Sequence, residues 1–161
     1  MSDVSLRLAQ ILPLIQERLA EGESVQFTPN GTSMRPMLYG GRDQVILSPL
    51  PEKLKKYDLP LYRRPDGQFV LHRVVEVGET YTCIGDNQYA LEKGVPHEWM
   101  IALATGFVRK GKAYSVDCWR YKFYCRWWHW TRPLRKFGIW SKNILRAIVR
   151  RLKRIFAKQE G

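Results

Sequence analysis

Between Ser24 and Val116 the apolar runs are short. They are broken at Pro49-Leu50-Pro51, at Pro65-Asp66-Gly67-Gln68, at Gly78-Glu79 and at Arg109-Lys110-Gly111-Lys112. Turn-forming residues at that spacing leave no room for long helices and favour a succession of short strands. The spacing predicts strands over 24–28, 44–47, 59–64, 69–77, 80–84, 102–108 and 113–116. A body of this kind is mostly β, with a coiled or barrel-like sheet. Ahead of it, Leu8, Ile11, Leu12, Ile15 and Leu19 recur at three- and four-residue steps, which predicts an amphipathic helix over 5–21. Ser2 or Ser5 can cap it and Gly22 ends it. Pro13 lies inside, so a kink or a later start is expected. Most such stripes are core, so this helix is read as packed on the body rather than as a partner-docking helix.

One turn in this series stands apart. Pro29, Asn30 and Gly31 break regular structure before Gly31-Thr32-Ser33-Met34-Arg35-Pro36-Met37, and Pro36 disfavours helical geometry at Arg35. Ser33 therefore sits on an irregular turn beside a strand, where a hydroxyl can be presented to a ligand. Most serines in turns are only turn formers, and the tripeptide alone says little. Downstream, Leu71-His72-Arg73-Val74-Val75 and Ile84-Gly85-Asp86-Asn87-Gln88 place a histidine and an acid at strand edges. A serine hydroxyl needs a base to become a nucleophile, and a carboxylate can fix the base's tautomer.

The Ser-Met-x-Pro turn, the Gly41-Arg42-Asp43-Gln44-Val45 run, the His-Arg strand and the Gly-Asp-Asn triplet occur in an order that resembles the signal peptidase I and LexA-type serine peptidase superfamily. The histidine in place of a lysine base resembles the endoplasmic reticulum, archaeal and sporulating-bacterial signal peptidases. The likeness runs over about 23–117. It implies Ser33 as nucleophile and His72 as general base, with Met34 and Pro36 shaping the turn. It implies Asp86, or Glu92 six residues further on, as the acid that orients His72, with Asp86 placed first. Some relatives carry a serine where this chain has Gly31. The oxyanion hole would then rest on the Ser33 amide, with Thr32 or a neighbouring amide. The implied chemistry is peptide-bond cleavage through an acyl-enzyme, with no metal or other cofactor and with a peptide or preprotein as substrate.

Charge divides the chain. Before Arg120 there are 14 Lys and Arg residues and 14 Asp and Glu residues; from Arg120 on there are 13 and one, so the whole net charge of +12 lies in the last segment. That segment also holds Trp127, Trp128, Trp130 and Trp140 among Arg132, Arg135, Lys136, Arg146, Arg150 and Arg151, with an aliphatic stripe from Ile144 to Phe156. Aromatic and aliphatic residues opposite cations suit an anionic membrane interface. Nucleic acid is the rival partner and the weaker one, because an aliphatic stripe needs an apolar contact. The expected organisation is an N-terminal helix (1–22), a peptidase body (23–117) and a basic, Trp-rich interfacial tail (118–161). No export signal opens the chain and no run reaches the roughly 18–20 apolar residues of a membrane span. The expectation is peripheral attachment at the cytoplasmic face. Cys83, Cys118 and Cys125 have no paired spacing, and His97 and His129 have no partner at metal-ligand spacing. The alternative reading is an idle LexA-like module whose tail binds membrane or nucleic acid. Oligomeric state is left open.

Overall fold

The computed structural model describes residues 3–134 and divides into two compact units, the second beginning at Trp127. The helix α1 spans Asp3–Ala20 and continues through Pro13, so it does not start late. Downstream of that proline, Ile15 and Leu19 are buried in the core of the body. Each such side chain contributes about 1.5–3 kcal/mol, enough to offset the hydrogen bond Pro13 cannot donate. Gly22, at φ +80°, turns the chain out of the helix, and the Glu23 amide bonds back to the Arg18 carbonyl.

Among the described residues nine strands follow: β1 (Val25–Phe27), β2 (Gln44–Ser48), β3 (Pro60–Arg63), β4 (Phe69–Leu71), β5 (Arg73–Val77), β6 (Tyr81–Ile84), β7 (Glu92–Val95), β8 (Met100–Arg109) and β9 (Lys112–Ser115). They form two antiparallel sheets: β1-β2-β8-β3-β4 with β9 also on β8, and β5-β6-β7. The ten-residue β8 organises the larger sheet. One edge pairs with β2, while the other takes β3 along Met100–Leu103 and β9 along Gly106–Arg109. A short 3-10 turn (His97–Trp99) precedes β8, and a helix α2 (Trp119–Trp130) follows β9.

The expectation of a mostly-β, barrel-like body holds only in part. The described residues are mixed α and β, and their two sheets do not close into a barrel. Residues 69–77, read as one strand, form two. Leu71 pairs with Leu61 in the larger sheet, Arg73 pairs with Ile84 in the smaller, and His72 is the joint between them. The strand β7 has no alternating apolar signal, since only Val95 of its four residues is buried. No helix among the described residues is long and apolar enough to cross a membrane.

The sheet β3-β4 separates two cores. Leu61 and Leu71 face α1, β2 and the serine turn; Tyr62 and Val70 face the smaller sheet and pack with Val74, Tyr81, Cys83 and Val95. Adjacent residues of one strand thus serve opposite cores, as the two-residue period of a strand requires. Residues next to the His72 joint are fixed from both sides.

Candidate active site

The serine turn is a plug held by its own apolar residues. Met34, Met37 and Leu38 enter the core, while Gly31, Thr32, Arg35 and Pro36 remain exposed and Ser33 is half-buried. The Arg35–Pro36 bond is cis. Gly40 closes the base of the loop: a Cβ there would lie 2.5 Å from the Gly31 carbonyl oxygen, so only glycine permits this approach. Asp43, fully buried, accepts from the Tyr39 amide at 2.9 Å and from the Arg42 guanidinium at 2.6 and 2.8 Å. The Arg42 hydrogen bond holds the Asp43 carboxyl below its ordinary range. The far side of the turn is tied by Arg109, which donates to the Pro36 carbonyl.

The Gly-Asp-Asn triplet meets this turn. The Asn87 amide donates to the Ser33 carbonyl at 2.7 Å and its side chain donates to the Thr32 carbonyl. Gly85 lies between serine and histidine: a Cβ there would come within 2.7 Å of the Ser33 carbonyl oxygen and 3.1 Å of His72 Nε2. The absence of a side chain at Gly85 leaves room for the Ser33 carbonyl on one side and the imidazole on the other. Ser33 and His72 line one cleft of about 470 Å³, with Leu8 and Ile11 of α1, Phe27 to Gly31, Arg64 and Gln68 to Leu71 around it.

His72 is buried, and its Nδ1 faces Glu92 Oε2 at 3.4 Å and the Tyr62 hydroxyl at 3.3 Å. Tyr62 donates to Glu92 Oε2 at 2.6 Å, so its one proton is spent there and its oxygen can only accept from the ring. Nδ1 therefore carries the imidazole proton, and Nε2, on the Gly85 side, keeps the lone pair. Arg64 grips Glu92 through two hydrogen bonds of 2.6 Å. Burial raises the Glu92 carboxyl, but the Arg64 and Tyr62 bonds outweigh it and leave the group below its ordinary range. Burial lowers the His72 imidazole to about 4, against the upward pull of the Glu92 charge. The ring is neutral at neutral pH.

Asp86 is placed elsewhere than the likeness suggested. Its two oxygens accept from Arg73 at 2.9 and 2.8 Å, and Oδ2 also accepts from the Tyr124 hydroxyl at 3.0 Å. Arg73 further donates to the Tyr121 hydroxyl, Cys125 and Met37 Sδ. The arginine beside the histidine and the aspartate of the triplet thus form a buried pair that joins the first turns of α2 to the serine turn. The acid at Nδ1 is Glu92. Tyr62, Arg64 and Gln88 line or support the site without having been singled out in the sequence. The signal for Tyr62 and Arg64 was their place in the strand and turn hairpinned to His72.

Among the other groups, Cys83 is fully buried and burial pushes its thiol up to about 12, which removes it as a rival nucleophile at neutral pH. Cys83, Cys118 and Cys125 are unbridged. The described residues contain no cluster of His, Cys, Asp and Glu able to hold a metal ion. In α2, Trp119 and Phe123 are exposed; in the second unit Trp127 and Trp130 are exposed, their rings 5.8 Å apart, and Trp128 and Arg132 are half-buried. Arg135, Lys136, Trp140, Arg146, Arg150 and Arg151 lie outside the described residues. Comparison of the chain with protein-family models, with curated proteins and with solved structures finds no match.

Proposed function

We propose that the protein is a serine endopeptidase, similar in its machinery to the histidine-type signal peptidases and attached peripherally to a membrane by its C-terminal segment. The observation that carries this reading is the placement of Ser33 and His72 on either side of Gly85 in one cleft, with Glu92 at His72 Nδ1. Ser33 Oγ attacks the scissile carbonyl carbon and its proton passes to His72 Nε2. The resulting imidazolium is stabilised by Glu92. The tetrahedral intermediate collapses as His72 returns the proton to the leaving amine, leaving an acyl ester on Ser33. Water, deprotonated by His72, then releases the acid. The Ser33 amide is the proposed oxyanion donor, with Thr32 or a neighbouring amide beside it. Gly31, with nothing within 4 Å of a Cβ, leaves that side of the turn open. The test is to map new protein N-termini by mass spectrometry in cells making the wild type or Ser33→Ala. Termini present only with the wild type are expected; identical maps would sink the reading in favour of the idle module.

Membrane attachment rests on the exposed Trp119 and Phe123 of α2, on the exposed Trp127 and Trp130, and on the cationic block from Arg120 onward. Tryptophan favours the headgroup depth, and each cation near an anionic leaflet adds about 1 kcal/mol. The protein is expected to co-sediment with vesicles containing phosphatidylglycerol and to be released in part by 0.5–1 M salt, roughly where the Debye length falls toward 3 Å. Equal binding to purely zwitterionic vesicles, or none to either, would contradict an anionic surface as partner. The cytoplasmic face belongs to the same proposal, because cationic flanks favour that side.

A further inference from the structure

Around His72 the titratable groups are Tyr62 of β3 and Arg64 just after it, Cys83 and Asp86 at and beyond β6, and Glu92 of β7. Of these, Tyr62 alone touches both His72 Nδ1 and the carboxylate that faces it. Its ring is fully buried and packs edge-on against the imidazole, with centroids 6.3 Å apart and planes 70° apart. Its hydroxyl lies 2.6 Å from Glu92 Oε2 and 3.3 Å from Nδ1, while the direct Nδ1–Glu92 separation is 3.4 Å. That last distance is long for a charge-assisted hydrogen bond, which ordinarily closes to about 2.7–2.9 Å.

We infer that Tyr62 is a positioning residue: by binding Glu92 Oε2 it keeps the carboxylate back from His72 and thereby sets how strongly that charge acts on the base. The inference rests on the proposed role of His72 as general base. The physical logic is competition for one oxygen. Oε2 receives a short bond from Tyr62 and shares the Arg64 grip, so the imidazole gets only the remainder. Burial and the Glu92 bond raise the phenol well above its ordinary range, so Tyr62 remains a donor at any pH the protein meets. With the hydroxyl gone, Glu92 is free to close on Nδ1–H, and the imidazolium gains a full partner. The base would then hold its proton at a pH where the wild type has already released it.

The test is the titration of His72 followed by NMR in the wild type and in Tyr62→Phe, with a His72→Gln spectrum assigning the signal. The substitution removes one oxygen and keeps the aromatic volume. The expected result is a midpoint raised by about one pH unit or more, the scale of an opposite charge brought into contact, with the acid limb of kcat/KM moving the same way and KM unchanged. Unchanged titration would overturn the inference and leave Tyr62 as core packing. A wild-type measurement guards against a variant that fails to fold: the Tyr62 hydroxyl proton should exchange slowly and show its contact to the His72 ring, and rapid exchange would also overturn the inference. Neither NMR readout needs a substrate. A missing set of Ser33-dependent termini would therefore count against the peptidase reading alone.

Discussion

Asp86→Ala is expected to destabilise the body by about 3–5 kcal/mol, the cost of leaving a buried cation without its counter-charge. Arg73 is only 3% exposed in its side chain and Asp86 2%. Both carboxylate oxygens are engaged. Tyr121, Cys125 and Met37 also accept from or pack on the guanidinium, but none carries a compensating charge as held here. For a chain whose whole stability is on the order of 5–15 kcal/mol, such a loss removes a third of it or more in most of that range. Urea unfolding of the purified variants measures it. Asp86→Asn should lose less, because the amide oxygen still accepts one bond. A variant with alanine at this position and wild-type stability would mean that the Arg73–Asp86 pair contributes nothing to the fold, and would reopen Asp86 as a group kept for chemistry.

That outcome bears on what the sequence could and could not tell. The short strands were legible because Pro65 to Gln68, Gly78 and Lys110-Gly111 punctuate apolar runs at hairpin spacing. The first helix was legible because Ile15 and Leu19 keep the helical period. The division of 69–77 was not legible. Nothing local marks His72 as the residue where the chain leaves one sheet for another; the switch is decided by Leu61 and Ile84, distant partners that claim Leu71 and Arg73. The same non-locality separates the two acids. Asp86 and Glu92 lie six residues apart and both flank the end of β6. Which one reaches Nδ1 depends on where the neighbouring cations stand. Arg73 opens β5 just after the His72 joint, and its buried guanidinium takes Asp86. Arg64 stands on the imidazole side and takes Glu92. Sequence order alone cannot assign two acids to two arginines.

Glu92→Gln supplies the complementary test. If Glu92 stabilises the imidazolium, its replacement by the neutral isostere should lower kcat/KM on the order of 10³–10⁴-fold, as loss of the orienting carboxylate does in serine hydrolases generally. The fold should survive, because the amide can still accept from Tyr62 and Arg64, and the parent ion pair is partly exposed. The pH profile sharpens the prediction. A general base works only when unprotonated, and burial holds His72 at about 4. The wild type should therefore keep its kcat/KM from neutral pH down to about 5, with an acid limb well below the ordinary histidine value of about 6.5. The limb belongs to the coupled His72–Glu92 pair rather than to one residue. Removing the Glu92 charge removes an upward pull on the imidazole, so the limb of the variant should move further to acid while its plateau falls. Stability has the same sign. The unfolded chain takes up a proton near pH 6.5 that the folded chain refuses until about 4, so folding weakens as pH falls across that window. A Glu92→Gln enzyme as fast as the wild type would return the orienting role to another group. A wild-type acid limb at 6.5 would mean that His72 is more hydrated in solution than its 4% exposure implies.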